Sequence, residues 1–90
     1  MLKGEVKITN RLGLHARAAA QLVKLADNFT SEIRLCKSDE SISANAKSIL
    51  SLLNLAASHG SVLVLEVSGI DEEKAFSAIQ EIFSNGFGEN

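Results

Sequence analysis

The chain contains no proline, tryptophan or tyrosine and only one cysteine, Cys36, in 90 residues. One cysteine excludes an internal disulfide, and with His15 and His59 as the only histidines it makes no metal-ligand spacing. No metal and no cofactor are therefore expected, and Cys36 reads as a small residue in a strand. Neither tyrosine nor tryptophan is available to stack on bases. The nine basic residues are scattered among eleven acidic ones for a net charge of −2, so nucleic acid is not an expected partner. Long hydrophobic runs are also missing. The longest apolar stretch, Ile49 to Ala57, is broken by Ser51 and Asn54 and does not span a bilayer. Met1-Leu2-Lys3-Gly4-Glu5 alternates rather than placing a basic region before an apolar one, unlike a secretory signal. A cytoplasmic protein without direct membrane binding is expected. No Gly-x-x-x-x-Gly-Lys-Ser/Thr loop is present to hold a nucleotide.

Hydrophobic residues make up 46% of the sequence. Ninety residues suit a single domain, 1–90, that buries roughly 60 to 70% of its unfolded surface. Leu2, Gly4, Val6 and Ile8 alternate with Lys3, Glu5 and Lys7, which predicts a first strand with one buried face. A turn over Asn10 to Gly13 ends it. Ala19, Leu22, Val23, Leu25 and Ala26 give the apolar stripe of a helix from Ala16 to about Asp27. Glu32 to Lys37 and Ser41 to Ala44 read as a hairpin turning at Lys37 to Glu40. Lys47 to about Leu55 is a helix too apolar all round to stand alone at a surface. Ser61 to Val67, apolar on both faces except Glu66, suits a central strand. In the last helix Asp71 is placed to cap, Ala75, Phe76, Ile79, Ile82 and Phe83 form the stripe, and Gly86 suits the stop. The order βαββαβα implies an α+β domain, an antiparallel sheet covered on one face by three helices.

One segment carries chemistry. Asn10-Arg11-Leu12-Gly13-Leu14-His15-Ala16-Arg17-Ala18-Ala19-Ala20 sets a histidine between a glycine turn and an alanine-rich helix start. The first amides of a helix have no intrahelical partner, and the helix dipole there favours negative charge. A neutral imidazole can attack phosphorus through its lone pair, and the same local field that disfavours imidazolium stabilises a phosphoryl dianion. His15 is thus the candidate phosphoryl acceptor and donor. Arg17 and the backbone amides of Ala16 and Arg17 are the candidate phosphate-binding groups.

The Gly13-Leu14-His15-Ala16-Arg17 segment resembles the active-site segment of the HPr family, the histidine-containing phosphocarriers of the bacterial phosphotransferase system. The likeness takes in Asn10, the small residues after Arg17 and a second motif some thirty residues on, and the element order matches from end to end. It implies an open-faced β-sandwich with sheet order 1-4-2-3. It also implies modification at Nδ1, with the phosphoryl group arriving from Enzyme I, itself charged by phosphoenolpyruvate, and leaving to a histidine of a IIA domain for sugar uptake or regulation. Ala18 stands where most members have proline, which gives up some rigidity in the first turn but keeps helix propensity.

Asn45-Ala46-Lys47-Ser48-Ile49-Leu50 resembles the family's regulatory-serine segment. Ser48 then has two readings: a target of the HPr kinase/phosphorylase, whose phosphate would weaken docking of Enzyme I, or an unmodified residue of a helix start. By resemblance the docking surface includes Arg17, Ala20, Lys24, Leu50 and Leu53, with Lys47 at its rim, although Leu50 and Leu53 also read as core. Three functions follow. The leading one is a monomeric carrier that is not itself an enzyme, with the nitrogen-related branch, NPr, as a rival within the family. The second is a non-transferring regulator that uses only Ser48, against which an intact His15 argues. The third, a hydrolase, lacks a nucleophile and an orienting group at any supportable spacing.

Overall fold

A computed structural model describes residues 1–39 and 41–89. Four strands and three α-helices follow in the order β1 (Leu2–Lys7), α1 (Ala16–Ala26), β2 (Glu32–Lys37), β3 (Ser43–Asn45), α2 (Ile49–Leu55), β4 (Val62–Ser68) and α3 (Glu72–Ser84). A short 3₁₀ turn, Gly86–Gly88, comes after α3. The sheet is antiparallel and ordered β1-β4-β2-β3, as the resemblance implied. β4 runs centrally, pairing Val6 with Leu63 on one side and Leu35 with Leu65 on the other.

Alternation sorts the two faces. Val6, Ile33, Leu35, Ala44, Leu63, Leu65 and Val67 are buried beneath the helices, which add Ala18, Ala19, Leu22, Leu52, Leu55, Ala75, Ile79 and Phe83 to the same core. α3 sits close on β1, where the Phe76 ring covers Gly4 so tightly that any side chain there would meet it. The opposite face stays open. It carries Lys3 against Glu66 at 3.5 Å, an exposed pair of small energetic value. Val62 and Val64 on that face explain why β4 reads as apolar on both sides. Cys36 lies half-buried in β2.

Three element boundaries differ from the sequence expectation, each for a local reason. β3 begins at Ser43 rather than Ser41, because the Asp39 carboxylate accepts from both the amide and the hydroxyl of Ser41 and keeps that residue in the turn. α2 begins at Ile49 rather than Lys47, because the Asn45 side chain accepts from the Lys47 amide and Asn45 O from the Ser48 amide, closing a turn ahead of the helix. Asp71 stands at the start of α3 but does not bond its own helix. Its carboxylate accepts instead from the amides of Thr30 and Ser31 and from the Ser31 hydroxyl, tying α3 to the entry of β2. Those bonds, the hydroxyl's foremost, lower the Asp71 pKa to about 2.

Candidate functional site

The loop between β1 and α1 is held by short-range bonds that its sequence dictates. The wholly buried Asn10 side chain donates to Gly13 O at 2.7 Å, and Gly13 N bonds Asn10 O at 3.2 Å. Gly13 takes φ +69°, packed so closely on the 57–59 loop that a built Cβ would lie 2.7 Å from Ala57 O. Leu14 N then bonds that same oxygen at 2.9 Å. With Leu14 buried, the chain delivers His15 to the N-cap of α1 in extended conformation, φ −80° and ψ −179°.

Both ring nitrogens of His15 are engaged. Nδ1 accepts from the Arg17 amide at 3.3 Å, and Nε2 lies 2.7 Å from Glu89 Oε2. An ionised carboxylate can only accept and a backbone amide can only donate, so the two bonds require the same tautomer of the neutral ring: hydrogen on Nε2, lone pair on Nδ1. The free pair therefore faces the helix N-terminus. Ala19 is where the helical ladder begins, its amide bonding His15 O at 2.8 Å. The amides of Ala16, Arg17 and Ala18 precede it, at the positive end of an eleven-residue helix. Ala18 supplies an amide donor where a proline would have none.

Glu89 is the functional residue the sequence conceals. Its other oxygen accepts from Asn10 Nδ2 at 3.1 Å, so Asn10 orients both the glycine turn and the acid. Burial works against the charge of Glu89, but the bonds from His15 and Asn10 and the nearby positive charge of Arg17 outweigh it and hold the carboxyl below its usual range. Nothing local to Glu89 marks it, since its partner lies 74 positions away. Beside it opens a groove of about 680 Å³ lined by Arg11, Leu12, Arg17, Gln21 and Phe87. Leu12 is 71% exposed there.

The remaining candidates fall on α1 and α2, which pack against each other. Ala16, Arg17, Ala20 and Lys24 are exposed on α1. Leu50, 71% exposed, and Leu53, 37%, lie on α2 with Ile49, so the reading of Leu50 and Leu53 as core does not hold. Lys47 is half-buried, and its ammonium donates to Phe29 O at 2.6 Å. Ser48 is the N-cap of α2, its hydroxyl accepting from the Ser51 amide at 3.2 Å. His59 is exposed in a turn. Among the described residues no cluster of three metal-ligating side chains occurs, and no helix is long and apolar enough to cross a membrane.

Comparison with known proteins places this geometry. The family model described as the PTS HPr component phosphorylation site matches residues 2–85. The phosphocarrier protein HPr of Cupriavidus necator is 43% identical over 89 residues, covering 99% of this chain and 98% of the relative. The phosphocarrier protein NPr of Escherichia coli K12 is 39% identical over 89 residues, with the same coverage. The crystal structure of HPr-C-His from Thermoanaerobacter tengcongensis superposes with a TM-score of 0.92 at 39% identity, covering 100% of this chain and 99% of that one. With sequence, sheet order and loop in agreement, the chain belongs to the HPr family of phosphotransferase-system phosphocarriers, proteins that carry a phosphoryl group rather than catalyse a reaction.

Proposed function

We propose that His15 is the residue that carries the phosphoryl group, taking it from a phosphohistidine of Enzyme I and passing it to a histidine of a IIA domain in sugar uptake. The observation that carries this reading is the single tautomer demanded by the two bonds to the ring, which leaves the Nδ1 pair aimed at the start of α1. In the transfer a bond forms between Nδ1 and phosphorus as the donor's phosphorus–nitrogen bond breaks, and the donor ring leaves with the pair. The Arg17 amide, weakly bound to Nδ1 at 3.3 Å, is placed to turn to a phosphoryl oxygen. The Ala16 and Ala18 amides and the Arg17 guanidinium supply further positive charge.

The exposed residues of α1 and α2, namely Arg17, Ala20, Lys24, Leu50 and Leu53, form the docking surface in this reading. Apolar side chains beside Arg17 and Lys24 suit a transient complex with acidic partners. Lys47 contributes at the rim only if it releases Phe29 O. Phosphorylation of Ser48 by an HPr kinase/phosphorylase is proposed as the control of that docking. The added charge would replace a neutral cap on α2, next to Leu50. The protein acts as a cytoplasmic monomer in this proposal.

Intact mass after incubation with phosphoenolpyruvate, magnesium and Enzyme I tests the carrier reading. One acid-labile phosphate is expected, absent in His15→Ala, and no gain in the native chain overturns it. A second reading, a nitrogen-related regulatory relay, is supported by the likeness to NPr over 99% of the chain. Transfer rates to sugar-specific and nitrogen-related IIA domains separate the two.

A further inference from the structure

The Glu89 carboxylate has no part in forming the new bond, yet the fold goes to some length to place it. Gly86, Phe87 and Gly88 take φ of 59°, 55° and 73°, three successive left-handed residues. For phenylalanine that conformation is strained. It is held by burial, because the Phe87 ring is 3% exposed and stands edge-on to Phe83 with centroids 5.1 Å apart. The result is a tail folded back on the helix start, with the Glu89 side chain only 15% exposed and both oxygens occupied, one by His15 and one by buried Asn10.

We propose that Glu89 is a positioning residue whose charge keeps the Nε2 proton on the ring after phosphorylation, holding the phosphohistidine in its transferable form. This rests on the carrier reading of His15. A phosphoryl group on Nδ1 leaves behind one of two rings. If Nε2 has lost its proton the leaving group is an imidazolate anion, which departs poorly. If Nε2 keeps its proton, the Nδ1–phosphorus pair returns to Nδ1 and a neutral imidazole leaves, while phosphorus bonds to the acceptor's nitrogen or, in hydrolysis, to water oxygen with release of dihydrogen phosphate. Phosphorylation therefore creates an imidazolium whose proton sits 2.7 Å from a carboxylate, a charge-assisted pair in a site with little water.

The other charged groups around the ring do not supply this. Arg17 from α1 and Arg11 from the preceding loop are cations suited to the phosphoryl oxygens and opposed to imidazolium. His59, from the loop packed on Gly13, is exposed. Among the described residues Glu89 is the one acid bonded to His15.

Native protein, Glu89→Gln and Glu89→Ala are charged with phosphoenolpyruvate and Enzyme I, freed of the enzyme, and followed by intact mass as the phosphate is lost across a range of pH. The hydrolysis rate falls as the ring deprotonates. The native midpoint is expected at higher pH than in either variant by about one unit, so that above it the variants keep their phosphate roughly tenfold longer. Gln retains an acceptor for Nε2–H without the charge and guards against a folding defect in Ala. Coincident midpoints, or a Gln variant that behaves as native, overturn the proposal while leaving the carrier reading intact. No uptake by native protein overturns both.

Discussion

Gly13 and Gly60 both hold left-handed backbone, φ +69° and +88°, and differ in what surrounds them. A Cβ at Gly60 would meet nothing within 4 Å, whereas one at Gly13 would lie 2.7 Å from Ala57 O and 3.0 Å from Ser58 Cα. Gly60→Ala therefore incurs only the backbone penalty, about 1–2 kcal/mol. Gly13→Ala adds a clash with backbone that has no flexible end to yield, about 1–3 kcal/mol more. For a chain of this size about 1 kcal/mol moves the melting temperature by roughly 4–8 °C, so Gly13→Ala should melt well below Gly60→Ala. Because the displaced oxygen is also the acceptor for Leu14 N, Gly13→Ala should slow phosphoryl uptake at His15 as well. Parallel urea or thermal unfolding of the two variants, with an Enzyme I uptake assay, measures both effects. Equal losses of stability would refute the close-contact account of the loop, and normal uptake in folded Gly13→Ala would refute its link to the site.

Leu50→Asp, at a side chain 71% exposed, should change stability by no more than about 0.5 kcal/mol yet raise the apparent KM for Enzyme I about tenfold or more, as steady-state transfer assays would record. Ser48→Ala removes the acceptor for the Ser51 amide and should cost about 1 kcal/mol in urea unfolding while leaving phosphorylation of His15 intact. Asp71 is held at about pKa 2 by its bonds to Thr30 and Ser31, below its unfolded value, so its contribution is present above the usual carboxylate range and is lost as pH falls toward 2. Asp71→Asn should accordingly flatten the acid limb of the stability curve, measured by thermal melts at descending pH.

Much of the fold was legible because periodicity and pairing agree. The alternation at Leu2–Ile8 and the stripe of α1 are both local signals of burial, and both elements lie where those signals put them. The boundaries at Ser41 and Lys47 were not, since each turns on a side chain competing for one amide, at Asp39 and Asn45, which hydrophobic pattern does not register. The strand order came from family likeness rather than from periodicity, as nothing in β4 alone says that it lies between β1 and β2. At the site the near neighbours of His15 could be read because a helix start orders them in sequence. Asp71 and Glu89 could not, because each carboxylate finds its partner across the fold, 40 and 74 positions away.

That last separation bears on how the protein acquires its chemistry during folding. Helices and the β2–β3 hairpin close short loops and form early, whereas a contact between residues 15 and 89 must wait until most of the chain between them is in place. Thr9 is bonded to Phe83 O and Asn10 to Glu89, so three successive bonds draw the same distant segment onto the β1–α1 loop. A chain with its sheet formed but Phe87 not yet seated would already display His15 on a helix start, with one of the two bonds that dictate its tautomer missing. Subglobal opening of the 86–89 turn would recreate that species from the native protein without disturbing the sheet. The identity of the nucleophilic nitrogen is thus completed by the last turn of the chain to dock.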